Sequence, residues 1–470
     1  MAQKNYNIDI KVSTIQELNT LPFKYKNEGI RAYVYENERY YFWNSIEEDW
    51  SPEVNLTTNL NINQNAIYVD SLAGDDLTGE KHNFNKPFKT IEEAFEVAES
   101  NDLIIVLPGD YEINDSISKD GVDWFFYPGT TVILNNNEHV NGIWDDLNYP
   151  MSFKVAGYGN FIRETNDDFL SVKLVNVTNS NSNIIIEADE LKTISGSDGE
   201  SSVIYQSNGI VYINSRLISS FGGNSYSIWW INGKMDIYST KVYSDYSCII
   251  SSVTTSPTGD CHLKSNELEG QVAIGVNGTN GNAAIWVKSN IIKGNIQSNN
   301  INKLYVECQK IFDKILTSDT AGLVYIKTDK ITDIGNGLIT ILGGMVRLTV
   351  LHLDPANFLG EVLVLGGELQ LNNADYIGTA NSIGVETRLT GILKMTNCNI
   401  NTSLNSSTNP IIKTGGTIIL KFCILKAENS RSSVFSSTSQ TLISYASYAN
   451  KAVDNNITIS GLLTVGAYVQ

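Results

Sequence analysis

The sequence predicts an all-β chain wound as a right-handed, single-stranded parallel β-helix, and three observations carry that expectation. The first is a repeat. Ten anchors, Gly209, Gly233, Gly259, Ala283, Asn302, Gly322, Gly344, Gly367, Gly391 and Gly416, span 207 residues in nine steps, a mean of 23. The second is the apolar spacing downstream of each anchor. Two residues on stand Val211, Met235, Cys261, Ile285, Leu304, Val324, Val346, Leu369, Leu393 and Ile418. Four on stand Ile213, Ile237, Leu263, Val287, Val306, Ile326, Leu348, Leu371, Met395 and Leu420. Nine on stand Ile218, Val242, Leu268, Ile292, Ile311, Ile331, Leu353, Tyr376, Ile400 and Leu425. All thirty are apolar or aromatic in a chain that is 42% hydrophobic. Alternation at +2 and +4 marks a strand with one buried face, and +9 marks a second inward position past a bend. The third observation is the size of the unit. It is too short for a strand plus a crossover helix, which argues against a barrel or a doubly wound sheet. A unit this small buries its apolar face only by stacking on its neighbours. Leucine-rich repeats share the period but need a different consensus; here Gly-x-apolar-x-apolar-x-small runs through.

The +6 column reads Ser215, Ser239, Ser265, Ser289, Cys308, Thr328, Val350, Asn373, Asn397 and Phe422. Seven of the ten are Ser, Thr or Asn, side chains that bond nearby backbone in turns. They are expected to form a polar ladder along one corner at roughly 4.8 Å per coil.

Composition sets the outer bounds. A solenoid grows along one axis, so 470 residues need not divide into several globular domains. A net charge of −18 argues against nucleic-acid binding, which needs clustered Lys and Arg, and keeps a large assembly soluble. Five cysteines without a C-x-x-C pair argue against a disulfide framework and against a zinc site. Met1 to Ile10 carries no apolar signal core, and no run approaches the ~20 apolar residues of a membrane span. The expectation is a chain folded in a reducing cytosol, with no cofactor and no membrane insertion.

Residues 1–54 are read as a separate module. Thr14–Thr20 is expected to make one or two helical turns. Ile30–Glu36 and Arg39–Asn44 are expected to form a hairpin around Asn37-Glu38. Tyr33, Tyr35, Tyr41, Trp43 and Trp50 make it rich in aromatics, as a small core or as an attachment surface. The stretch ELNTLPFKYKNEGIRAYVYENERYYFWNSIEEDW resembles the hairpin modules of phage tail fibres. Asn55–Asn65 is a polar linker, and the β-helix is placed at 63–429.

Its first segment, 66–113, contains IYVD, GDDLTG, PFKTI and PGDY in that order. Thr90 and Glu93 form a capping-box pattern ahead of Ile91, Ala94, Phe95 and Ala98, which share one face of a short helix. The segment resembles the N-terminal cap of pectate-lyase-like β-helices, in which such a helix plugs the first coil. Beyond it, Trp124–Tyr127, Thr131–Leu134, Leu170–Val177 and Ile184–Ile186 are strand candidates, with Asn135–Pro150 and Ser195–Ser202 as projecting loops. Past Leu425 the repeat fades. At 441–470, Ile457–Ser460 and Leu462–Val469 are expected as a terminal hairpin around Gly461. That end resembles the trimer-forming ends of phage tail fibres; a cap on the last coil is the alternative.

If +2 and +4 face inward, +3 faces outward. That column holds Tyr212, Asp236, His262, Trp286, Tyr305, Tyr325 and Arg347. Aromatic side chains interleaved with polar groups suit a sugar, with rings as stacking platforms; a covering loop or neighbouring chain, and plain strand propensity, are the duller explanations. Asp236 and His262 fall on successive coils, where an acid–base pair can form. Asp145-Asp146, Asp167-Asp168 and Glu267/Glu269 are the carboxylate pairs of a type glycosidases use. Polygalacturonase-type motifs are absent. Asp70, Asp75 and Asp76 suit calcium or, more simply, turns. The resemblances together imply a phage tail fibre or tailspike, a homotrimer in the virion tail made in the host cytoplasm. Its implied partners are other tail proteins and a host surface polysaccharide. A polysaccharide depolymerase, lyase or hydrolase, on the same scaffold is the rival, with no catalytic residues assigned.

Overall fold

The computed structural model describes the backbone of four strands within residues 9–52, and then residues 65–465 apart from connecting stretches at 135–141, 147–148, 166–171, 197–198, 254–258, 279–283, 300–302, 318–321, 333–338, 342–344, 354–361, 374, 378–384, 388–389, 402–411, 427–433, 436–439 and 450–456. From residue 66 onward it is a parallel β-solenoid with coils of about 24 residues.

The predicted core columns are its interior. Twenty-seven of the thirty positions have described side chains, and all are buried; Leu353, Tyr376 and Ile400 lie outside that description. Successive coils pair in parallel with no shift at these columns. Val211 lies beside Met235 and Ile213 beside Ile237, and the pattern holds coil after coil. The +4 column also reaches further back than the sequence repeat. Ile67, Ile104, Trp124, Val155 and Ile186 lead without interruption into Ile213. From there the line continues to Leu420, and none of its members is more than 3% exposed. Each large aliphatic side chain removed from water contributes about 1.5–3 kcal/mol, so stacking is what makes so short a unit stable. The anchors are small because coils approach closely there. A Cβ on Gly259 would lie 2.1 Å from the Gly233 carbonyl oxygen, and Gly233 itself sits at φ 89°.

The +6 ladder has two forms. From Ser215 to Thr328 it faces inward and is at most 7% exposed. There Ser239 donates to the Lys241 carbonyl at 2.9 Å, Ser289 to that of Ile291 at 3.0 Å and Thr328 to that of Lys330 at 3.2 Å. Each of these three hydroxyls thus satisfies the corner it sits on. At Asn373, Asn397 and Phe422 the corner instead turns through the left-handed region, at φ 57°, 54° and 54°. Asn397 Nδ2 donates to Asn373 Oδ1 at 3.3 Å.

The first coil is closed as expected, with one amendment. Helix α1, Ile91–Val97, sets Ile91, Ala94 and Ala98 into the core, and Phe95 stacks on Trp124 at 6.2 Å. Thr90 accepts the Glu93 amide, but the Thr90 amide goes to Asp76 at 2.9 Å, so Asp76 completes the cap in place of Glu93. The insert expected as a loop at Asn135–Pro150 contributes a short strand, Trp144–Asp145. Trp144 is fully buried against Trp124, Phe153 and Phe161. Ser195–Ser202, also expected as a loop, runs into the strand Glu200–Gln206.

The C-terminal end departs from expectation. In place of a hairpin, Ile457–Val465 is a single strand pairing in parallel with Gln440–Ala449, which itself follows Thr417–Lys421. Gly461 lets the strand pass the Ser444 carbonyl at φ 97° and makes no hairpin turn. The solenoid therefore continues beyond Leu425 to residue 465.

Near the N-terminus, Asp9–Val12 pairs in parallel with Arg31–Val34. Arg31–Val34 pairs in antiparallel with Arg39–Asn44, and that strand with Asp49–Pro52. The predicted hairpin is present. Its register sets Tyr33 opposite Tyr40 and Trp43 opposite Trp50, with Tyr41 on the middle strand; Tyr35 and the Thr14–Thr20 turn lie outside the described residues.

Candidate functional site

The strand after each anchor turns two columns outward, +3 and +5, because alternate residues share a face. At +3, register places Tyr212, Asp236, His262, Trp286, Tyr305, Tyr325 and Arg347 one after another. At +5 it places Tyr238, Lys264, Lys288, Glu307 and Lys327 in the same way. A groove of about 760 Å³ is lined by His262, Trp286, Tyr305 and Tyr325 from the first column and by all five of the second. Its floor is the strand backbone at Ile237, Leu263, Val287 and Val306, whose side chains point inward. Four of the seven residues singled out at +3 thus line one groove. Asp236 reaches it through His262, while Tyr212 and Arg347 continue the column beyond either end.

Asp236 and His262 do meet: Asp236 Oδ1 is 3.0 Å from His262 Nδ1, and Lys234 Nζ is 3.2 Å from Asp236 Oδ2. That contact fixes the imidazole by one nitrogen and leaves Nε2 for a ligand or a proton.

The aromatic side chains are arranged differently from an open stacking platform. Trp286 and Tyr305 lie with ring centroids 3.8 Å apart and planes 7° from parallel. His262 meets Trp286 edge-on at 6.2 Å, and Tyr305 meets Tyr325 at 6.2 Å and 48°. Planar side chains repeated at roughly 4.8 Å pair with one another along the coil axis. Trp286 and Tyr305 therefore each spend one ring face on the other. Trp286 is still 43% exposed.

Charge is concentrated at +5. Lys327 bonds Glu307 at 2.8 Å, and that hydrogen bond holds the Glu307 carboxyl below its ordinary range. Burial and then the neighbouring Lys288 push the Lys264 ammonium down; its Nζ lies 5.2 Å from the Tyr238 ring centroid. Tyr238 is raised by burial and by Asp236, and Tyr212 is pushed up to about 12 by burial, Tyr238, Glu187 and Asp236.

The other acidic candidates have structural partners. Asp146 takes the amides of Thr178 and Asn179 at 2.6 and 3.0 Å, and Asp145 takes Asn176 Nδ2 at 3.0 Å. Glu267 and Glu269 are bridged by Lys241 and Lys293; Asp167-Asp168 lies outside the described residues. Asp70 and Asp75 cap their own turns at Leu72 and Leu77. Among the described residues, no three of His, Cys, Asp and Glu gather as a metal site. The five cysteines are buried and unpaired by disulfides.

Two features are not among the residues that the sequence singles out. The lysine column stands at +5 of the same anchors, visible by reading one outward position further. A half-buried patch of Tyr205, Tyr226, Trp229 and Tyr246, with Lys173 Nζ 3.7 Å from the Tyr205 ring centroid, sits on strands between anchors, where the repeat gives no signal. No protein-family model, curated protein or solved structure matches the chain.

Proposed function

We propose that the chain is the shaft of a phage tail fibre or tailspike, a homotrimer that engages a host surface polysaccharide through the groove between the +3 and +5 columns. The groove itself carries this reading. Its volume falls in the ordinary range for ligand sites, and indole, phenol, imidazole and ammonium groups converge on it from successive coils. Sugars need this combination of apolar contact and directional donors. The tail assignment is supported by the Tyr-rich N-terminal stretch and the cap-like segment 66–113, and the solenoid suits a slender shaft.

The test is binding of the full chain to a glycan array and to host cells, with Trp286→Ala and Tyr305→Ala as variants. Both are expected to weaken binding tenfold or more without shifting the melting temperature by more than a few degrees. Binding that neither variant weakens removes the groove from the proposal. Light scattering that returns a monomer removes the trimer.

One observation favours a second reading, a depolymerase: the 3.0 Å contact that orients His262 through Asp236. In that case His262 serves as general base, and Asp236→Asn lowers turnover while leaving glycan affinity nearly unchanged. Host polysaccharide whose chain length is unchanged after incubation with the wild-type protein excludes it.

A further inference from the structure

We propose that Cys398 and Cys423 are a latent disulfide site: on meeting a disulfide oxidant such as oxidised glutathione, the two thiols close into a bond that ties neighbouring coils together. Register makes the pair. Thr396 lies beside Lys421 and Asn399 beside Ile424, so Cys398 falls directly beside Cys423 on the next coil. The Ile424 amide donates to the Cys398 carbonyl at 2.8 Å. Register partners on neighbouring coils stand roughly 4.8 Å apart, within the span of about 4.4–6.8 Å that a disulfide bridges between Cα atoms.

The side chains agree with the backbone. Both cysteines are core residues, each 1% exposed. Each follows a residue in the left-handed region, Asn397 and Phe422, both at φ 54°. Each sulfur also turns the same way: Cys398 Sγ lies 3.3 Å from the Thr396 carbonyl oxygen and Cys423 Sγ 3.4 Å from that of Lys421. Identical side chains oriented alike on stacked coils meet, and the two thiols share a hydrogen bond that outweighs burial and lowers the Cys423 thiol from its ordinary value. The other three cysteines are placed differently. Cys261 stands between Met235 and Ile285, and Cys308 between Ser289 and Thr328. Cys248 donates to the Glu269 carbonyl at 3.0 Å. Burial raises all three thiols.

The place in the stack gives the bond a use. Among the described residues, the coil of Cys423 is followed by Gln440–Ala449, and that strand by Ile457–Val465. Ser447 on the first of these accepts the Cys423 amide at 3.0 Å. Opening of these strands uncovers Cys423 and admits the oxidant. Their return buries the new bond, which then keeps the coil of Cys423 on the one before it.

The reaction is two exchanges. Cys423 loses its proton to solvent, and its thiolate attacks one sulfur of the oxidant, forming a mixed disulfide and expelling a thiolate. Cys398, deprotonated in turn, attacks the Cys423 sulfur, breaks the mixed bond and expels the second thiolate. Two cysteine thiols are oxidised to one disulfide, and the oxidant's disulfide is reduced to two thiols, which take up the two protons.

The experiment incubates the full, reduced chain with oxidised glutathione across a range of temperatures below melting, then counts free thiols in denaturant and maps linked peptides by mass spectrometry. Expected is a fall from five free thiols to three, with one linkage, Cys398–Cys423. In Cys423→Ser, melting curves serving as the folding control, no intramolecular disulfide is expected. Deuterium exchange of amides at 417–426 is expected to slow about tenfold or more in the oxidised wild type relative to the reduced one. Five thiols remaining at every temperature, a linkage between other cysteines or between chains, or glutathione adducts alone overturn the site. A Cys398–Cys423 bond that leaves exchange at 417–426 unchanged overturns its role in holding the coils.

Discussion

Lys241, Glu267, Glu269 and Lys293 form a charged quartet across neighbouring coils, with contacts of 3.1 Å from Lys241 to Glu267 and 2.8 Å from Lys293 to Glu267. Burial alone would raise the Glu267 carboxyl. Hydrogen bonds from Lys293 and, with the adjoining Glu269, from Lys241 override it and bring it to about 2, against an ordinary 4.5. The folded value lies below the unfolded one, so this carboxylate's contribution is complete above about pH 4.5 and is lost as pH falls toward 2. Partial exposure and salt screening keep it modest. The melting temperature is expected to fall between pH 4.5 and 2, less steeply in Glu267→Gln and at high salt; identical acid profiles for variant and wild type would refute the assignment. In the sequence these contacts are visible only as residue types. Glu267 and Glu269 look like a catalytic pair because spacing shows which acids share a strand but does not reveal which lysines reach them from the next coil.

Among elements, the corner at +6 is where sequence and backbone disagree most. Asn373 and Asn397 suit the left-handed turn they occupy, since Asn tolerates that region; Phe422 adopts it at φ 54° with 53% of its surface exposed. An ordinary L-residue there loses about 1–2 kcal/mol. Phe422→Asn is expected to stabilise the protein by about 1 kcal/mol, read as a higher urea midpoint at unchanged slope, and a lower midpoint would show that the ring holds the corner. The core columns are legible because a two-residue alternation repeated at a fixed period has only one compact solution. The terminal hairpin fails for the opposite reason. Gly461 between two apolar runs signals a turn locally, and only the neighbouring coil, whose Ser444 carbonyl leaves no room for a Cβ, gives the glycine its use. The groove is half legible: its residues come from the outward column, but the mutual stacking of Trp286 and Tyr305 depends on the distance between coils.

At the scale of the molecule, each strand bonds only to the coils before and after it, and the two ends of the stack differ. The first coil is covered by helix α1, whereas Ile457–Val465 pairs, among the described residues, with Gln440–Ala449 alone. Loss of the last strand uncovers the next without disturbing the coil beyond it, while loss of the first must also expel Ile91, Ala94 and Ala98 from the core. Among the described residues, the solenoid is thus held like a zipper whose last strand is paired on one side only. Backbone amides are expected to exchange with deuterium in a gradient, fastest at 457–465, slower through 417–449 and slowest in the aromatic-filled coils around Trp124 and Trp144. Uniform exchange along the shaft would mean that it opens all at once.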